Sequence, residues 1–224
     1  MQKSYAQGIF LVSVLSSMVN RGGSYDVNLT VAAEKYIKSK NTTGDIISWG
    51  LTKEYQYWTQ YPNSTQQPIT AEVRWMIYGD CNPPKYTGAR KTKCTGYFSW
   101  SNHEAIVCPF HLKYNTTVPV RYPGLKPKIL ELDLNHLPKK PEHIKWNQPR
   151  QSMEERVLNT KCHYVARVKF DGYFVYLKKQ GYNLTWNAVH VTEIANATEG
   201  LIVKRGTLTY NVWGVLHEVM WCYK

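Results

Sequence analysis

The stretch Cys162-His163-Tyr164-Val165-Ala166-Arg167-Val168-Lys169-Phe170 decides the fold reading of this chain. Cys162, Tyr164, Ala166, Val168 and Phe170 fall at every second position, with His163, Arg167 and Lys169 among the residues between them. Successive side chains of a strand point to opposite faces, so the pattern predicts a strand with one buried and one wet side. Tyr173 to Leu177 continues it before Lys178-Lys179-Gln180-Gly181, which reads as a turn. Two more alternating runs, Thr207 to Trp213 and Val215 to Tyr223, follow.

The same period recurs upstream. Ile69, Ala71, Val73, Trp75 and Ile77 are expected on one strand face and Thr70, Glu72 and Arg74 on the other, until Gly79-Asp80 and Asn82-Pro83-Pro84 stop the run. Thr95 to Trp100 and Ala105 to Leu112 read as short strands. Leu29 to Lys38 is the clearest helix, with Val31, Ala32, Tyr36 and Ile37 toward one side. Seventeen Tyr and eight Trp also favour sheet. The expected fold is mainly β, one or more antiparallel β-sandwiches with one short N-terminal helix.

Pro119, Pro123, Pro127, Pro138, Pro141 and Pro149 interrupt the middle of the chain, and proline at that density forbids a regular helix or a central strand. This places a domain boundary near residue 138, with Ile129 to Leu134 as an edge strand of the first unit. The organisation expected is a leader over 1–24, an N-terminal β-rich domain over 25–138 and a C-terminal sandwich over 139–224.

The leader follows from Lys3, the apolar run from Ile9 through Leu15 to Val19, and the polar Asn20-Arg21-Gly22-Gly23-Ser24. That order is the layout of a secretory signal. Its apolar run is too short for the roughly 18 to 20 residues a membrane span needs. Cleavage after Ser16 or after Ser24 would both fit.

Acceptor sequons for N-glycosylation stand at Asn28, Asn41, Asn63, Asn115, Asn183 and Asn196, and every one ends in Thr. Fourteen Asn with this Ser and Thr content would give about two such triplets by chance. Five cysteines, Cys81, Cys94, Cys108, Cys162 and Cys222, fit the same oxidising route. Two of Cys81, Cys94 and Cys108 are expected to pair with each other. The odd count leaves one thiol over, either buried or able to link two chains into a dimer. None of their spacings makes a metal site.

The net charge is +12 and the pI about 9.4. The basic residues are scattered, at Arg90-Lys91 with Lys93, Lys139-Lys140, Lys178-Lys179 and Lys204-Arg205, without the dense clustering of a nucleic-acid face. For a secreted chain the acidic partners to expect are sulfated glycans or a receptor patch. No apolar tail follows Cys222, so no stable membrane anchor is expected.

The C-terminal part resembles an immunoglobulin domain of the constant type. Pro141-Glu142-His143-Ile144 looks like its first strand, Asn159-Thr160-Lys161-Cys162 its second, and Phe174-Val175-Tyr176-Leu177-Lys178-Lys179-Gln180-Gly181 its third. The resemblance implies a seven-stranded sandwich used for binding, with Cys162 bridged to Cys222 across it. Tyr176 stands where the family has its core Trp, and Met220 where it has a Tyr. Asp171-Gly172 alternatively reads as a hairpin turn that would put its flanking strands in one sheet.

The chain lacks H-E-x-x-H, G-x-S-x-G, G-x-x-x-x-G-K and G-x-G-x-x-G, and no cofactor is implied. His103-Glu104 and His217-Glu218 are strand neighbours that point apart. His111-Leu112-Lys113 is the one catalytic-looking element, and the second copy that chemistry needs is missing. An enzyme is therefore not expected. Trp49, Tyr55, Tyr57, Trp58 and Tyr61, between the Asn41 and Asn63 sequons, are the binding candidates, because Trp and Tyr dominate interface hot spots. The reading is a secreted, glycosylated module that binds an extracellular or cell-surface protein, as a decoy, receptor-binding or immune-modulating factor. A β-barrel carrier of a small ligand and a hydrolase with an unrecognised site are the alternatives.

Overall fold

The computed structural model describes residues 26–81, 93–119, 129–135, 142–144 and 155–223. The leader over 1–24, Arg90-Lys91 and Lys139-Lys140 lie outside these residues. The N-terminal half contains β1 (Val27–Asn28), α1 (Leu29–Lys40), β2 (Ile46–Gly50), α2 (Gln56–Gln60), β3 (Thr70–Cys81), β4 (Lys93–Glu104), β5 (Ile106–Val107), β6 (Lys113–Thr117) and β7 (Ile129–Asp133). Then come β8 (Glu142–Ile144), β9 (Glu155–Asp171), β10 (Tyr173–Gln180), β11 (Asn183–His190), β12 (Ile202–Lys204) and β13 (Thr207–Tyr223).

The protein is mainly β and its larger sheets are antiparallel, a sandwich-type architecture. One sheet has six strands in the order β3-β9-β13-β4-β8, with β12 also paired to β13. A second has the order β11-β10-β2. The alternation read from Cys162 to Phe170 sets the inner face of the first: Cys162, Tyr164, Ala166, Val168 and Phe170 are all buried. Their neighbours on β13, Leu208, Tyr210, Val212 and Leu216, are buried with them. Each large side chain so removed from water contributes about 1.5–3 kcal/mol.

α1 forms over the stretch expected, but Val31, expected on its apolar side, is exposed. Asn28 caps it, its Oδ1 accepting from the Thr30 and Val31 N–H groups at 2.9 and 3.2 Å. Leu29, Ala33 and Ile37 are buried, and Tyr36 packs edge-on against Phe174 with ring centres 5.6 Å apart. α1 thereby packs against the core-side face of the three-stranded sheet at Phe174.

Five expectations need correction. The face assigned to Ile69 through Ile77 holds only to Val73, because the pairing with β9 shifts between Val73 and Trp75. That bulge turns Met76 and Tyr78 to the core and leaves Ile77 exposed. The turn read at Lys178-Lys179-Gln180-Gly181 lies further on, since β10 runs to Gln180, which pairs with Asn183.

The boundary near residue 138 is crossed by the strand pairing. β3 and β4, from before it, pair with β9 and β13, from after it, and one hydrophobic core runs from Val27 to Met220. The stretches 25–138 and 139–224 are therefore interleaved, and not separate domains.

The bridge between Cys162 and Cys222 is not formed: Cys162 is bonded to Cys81, directly opposite on β3. β9 and β13 are neighbours in one sheet, with Cys162 opposite Leu216, so Cys222 lies six residues further along β13. At about 3.3 Å per residue that is roughly 20 Å, beyond the reach of a disulfide. At Asp171-Gly172 the chain leaves the six-stranded sheet for the three-stranded one, so no hairpin forms there. Gly172 has φ 112°, and a Cβ there would meet the Pro68 carbonyl oxygen at 2.5 Å.

Candidate binding face

The three-stranded sheet sorts its side chains strictly. Trp49, Tyr176, Phe174 and Val189 turn toward the main core. Val175 and Leu177 turn outward, opposite Ala188 and Trp186 on β11 and Gly50 and Ser48 on β2. Over this outer face lies a second apolar cluster, Tyr57, Trp58 and Val175, with Tyr55, Trp186 and Ala188 packed against it.

Gly50 makes the layer possible: a Cβ there would meet Tyr55 Cγ at 2.2 Å and Tyr55 Cβ at 2.7 Å, so the Tyr55 side chain lies on bare backbone. The rings then pack edge to face, Tyr55 with Trp186 at 5.8 Å, Tyr57 with Trp186 at 5.4 Å and Tyr57 with Trp58 at 5.5 Å. Their polar ends are occupied. Tyr55 Oη donates to Ser48 Oγ at 2.7 Å, Tyr57 Oη to Gln66 Oε1 at 3.2 Å, and Trp58 Nε1 to the Gln66 carbonyl at 2.9 Å.

The five aromatics read together from the sequence thus part company. Trp49 belongs to the core side. Tyr57 and Trp58 are buried and form the floor, Tyr55 is half-buried, and Tyr61 is 49% exposed beside Tyr57. The sequence reading missed the contribution of β11. Leu184 is 60% exposed, Tyr182 at the turn is fully exposed, and Trp186 completes the row. Their signal was present in the alternation of Leu184, Trp186 and Ala188 with Asn183, Thr185 and Asn187.

Three sequons, Asn63, Asn115 and Asn183, are exposed, whereas Asn28, Asn41 and Asn196 are half-buried. A glycan forms on Nδ2, and the bonds made by Asn28 and Asn196 fall on Oδ1, which accepts from the helix-start N–H groups. Asn41 uses both atoms: Oδ1 accepts from the Ile46 N–H at 2.8 Å and Nδ2 donates to the Ile46 carbonyl at 3.4 Å. Asn63 and Asn183 stand on the segments that build the aromatic face.

Among the described residues, histidines meet carboxylates in separate pairs, His190 Nε2 with Asp171 Oδ1 at 3.3 Å and His111 with Asp133. His111 Nδ1 lies 2.8 Å from Asp133 Oδ2, while Asp133 Oδ1 accepts from the Leu112 N–H at 2.9 Å, a clasp that joins the chain ahead of β6 to the end of β7. His217 and Glu218 do point apart, His217 to the outer sheet face and Glu218 inward. Burial and the nearby charges of Lys161, His103 and His163 lower the His217 pKa. Among the described residues no group of three His, Cys, Asp or Glu could hold a metal ion.

One cavity of about 890 Å³ opens beside the start of α1, lined by Asp26, Lys35, Glu104, Glu199, Tyr210 and Trp213 among others. The Tyr210 hydroxyl is pushed up to about 12, first by burial and then by the Glu104 and Asp26 charges. Lys35 pairs with Glu199 at 3.1 Å.

No family model and no curated protein matches this chain. Two solved structures are similar to this chain at a low level. A non-toxic crystal protein from Bacillus thuringiensis is 11% identical with a TM-score of 0.47, over 89% of this chain and 94% of that one. The binary complex of Cry23Aa1 and Cry37Aa1 gives 10% identity and a TM-score of 0.44, over 87% and 85%. At that level neither informs the function of this chain.

Proposed function

We propose that this chain is a secreted, N-glycosylated binding protein that engages an extracellular or cell-surface protein through the aromatic face of its three-stranded sheet. The observation that carries the reading is the second apolar cluster, which lies outside the main core, touches the exposed Tyr61 through Tyr57, and has the exposed Leu184 two residues from Trp186 on β11. A buried aromatic floor with half-exposed rings above it is the anatomy of an interface hot spot. Exposed sequons on the same segments would frame the face and keep it from associating with itself. The net charge of +12 would speed encounter with an acidic partner surface.

The test is binding of the glycosylated full chain to intact cells, with three arms. Protease-treated cells should lose binding, and soluble heparin should leave most of it. Trp186→Ala and Tyr61→Ala should each weaken it by about 2 kcal/mol, roughly 30-fold. Binding that survives both substitutions, or that heparin abolishes, overturns the reading. A carrier of small ligands would instead need a closed barrel, and the two main sheets end in unpaired strand edges among the described residues.

A further inference from the structure

We propose that Cys94 and Cys222 form a second cross-strand disulfide, which joins β4 to β13 as the Cys81–Cys162 bond joins β3 to β9. The β4–β13 register places Cys94 directly opposite Cys222, with Thr95 opposite Trp221 and Lys93 opposite Tyr223 on either side. Directly opposed residues of an antiparallel pair have Cα atoms about 4.5–5.5 Å apart. That separation falls within the range a disulfide spans. The chain already bridges one such pair: Cys81 and Cys162 are opposed in the β3–β9 register, with Cα atoms 4.3 Å apart.

The reaction balances as thiol–disulfide exchange. The two thiols give up two electrons and two protons to an external disulfide of the glutathione class, whose S–S bond opens to two thiols by way of a mixed disulfide.

The topology gives the second bond a purpose. Cys81 closes β3 and Cys94 lies at the start of β4, yet β9 and β13 stand between these strands in the sheet. With both bonds made, the end of β3 is tied covalently to β9 and the start of β4 to β13. The bond also anchors the last residues of β13, the strand at the centre of the sheet.

The fifth cysteine then accounts for the odd count. Cys108 is buried, its Sγ 3.6 Å from the Phe110 carbonyl oxygen, and burial pushes its thiol up to about 11. Such a thiol neither reacts readily nor reaches a second chain.

Thiol counting on the full chain tests this, using protein from a secretory host and protein refolded in a buffer of reduced and oxidised glutathione, so that the outcome does not depend on secretion. Alkylation of the native protein should label no thiol. Alkylation in denaturant without reductant should label one, Cys108, and after reduction all five. Non-reducing peptide mapping should join the Cys94 and Cys222 peptides. Cys94→Ser should expose Cys222 as one additional labelled thiol in denaturant while Cys81 and Cys162 stay linked. Three labelled thiols in the denatured, unreduced wild type, or Cys94 or Cys222 joined to any other cysteine, overturns the proposal; this wild-type count stands even where the variants fold poorly.

Discussion

The two main sheets differ in how many of their faces meet water. The six-stranded sheet buries one face, and its other face carries the exposed Lys161 and His163 beside the half-buried His217. The three-stranded sheet is covered twice, on the core side by α1 through the Tyr36–Phe174 contact and on the other by α2 and its aromatic rings. Their sequences record this difference. β9 alternates cleanly, whereas β10 reads Tyr173-Phe174-Val175-Tyr176-Leu177 without a polar residue, since a strand covered on both faces has no wet side to mark. On the proposed function, stability rests with the first sheet and binding with the second, and four measurements can break or sharpen that division.

The largest effect belongs to the main core. Phe170 is fully buried, and Phe170→Ala is expected to cost about 3–5 kcal/mol in urea unfolding because it removes the ring and leaves a cavity. Trp186 on the small sheet is only half-buried, so Trp186→Ala should cost about 1 kcal/mol in the same assay while it weakens binding. Equal costs would mean that the aromatic layer is a second core, and would break the comparison.

A pH effect should follow, confined to the six-stranded sheet. Glu218 is buried on β13 between Thr160 of β9 and Phe98 of β4, its Oε2 has no hydrogen-bond partner, and burial raises its pKa from 4.5 to about 8. The flanking groups on these strands, Thr160, Phe98, Trp100, Leu216 and Met220, carry no charge. The unfolded chain loses the Glu218 proton near pH 4.5 and the folded chain keeps it to about pH 8. Over that window the unfolded state binds fewer protons, so stability is full below pH 4.5, falls as pH rises, and levels off above about 8. The total loss is on the order of 3 kcal/mol once relaxation around the buried charge is allowed for. Glu218→Gln should flatten the profile; a wild-type stability that rises from pH 5 to 8 would show that Glu218 finds a partner.

Gly50→Ala separates the sheets in the other direction. The new methyl would press on Tyr55 Cγ and Cβ, atoms too close to the backbone to swing aside, and should cost about 1–3 kcal/mol as overpacking. Because Tyr55 holds Trp186 in place, binding should fall with it. Binding that stays intact with Tyr55 displaced would remove that ring from the interface.

How much could be read beforehand follows from the same physics. The strand at Cys162 to Phe170, the helix at Leu29 and the Ile129 edge strand were legible because each carries its own period or stop signals. The face of Trp75 and Ile77 was not, since the bulge after Val73 is a property of the pairing with β9. The Cys81–Cys162 bond is likewise set by register between strands far apart in sequence. Of the candidate site, Tyr55 to Tyr61 was visible as a local cluster, but Leu184 and Trp186 join it only because β10 lies between β2 and β11.

The smallest effect tests the helix that supports the small sheet from within, and it separates two roles of one residue. Asn28 is both the N-cap of α1 and the acceptor of the sequon Asn28-Leu29-Thr30. Its Oδ1 holds the Thr30 and Val31 N–H groups, and a glycan on Nδ2 would leave that oxygen in place. Asn28→Ala loses both roles, Asn28→Asp keeps the cap and loses the sequon, and Thr30→Val keeps Asn28 and loses the sequon. The cap is worth about 1 kcal/mol, so Asn28→Ala should lower stability by that amount while Asn28→Asp stays near wild type. Thr30 is exposed and donates only its backbone N–H to the cap, so Thr30→Val should cost little beyond helix propensity. If Asn28→Asp and Thr30→Val both destabilise the secreted protein as much as Asn28→Ala, and unglycosylated protein shows no such differences, the sugar and not the cap supports α1. The core-side cover of the small sheet would then depend on modification, which the large sheet does not require.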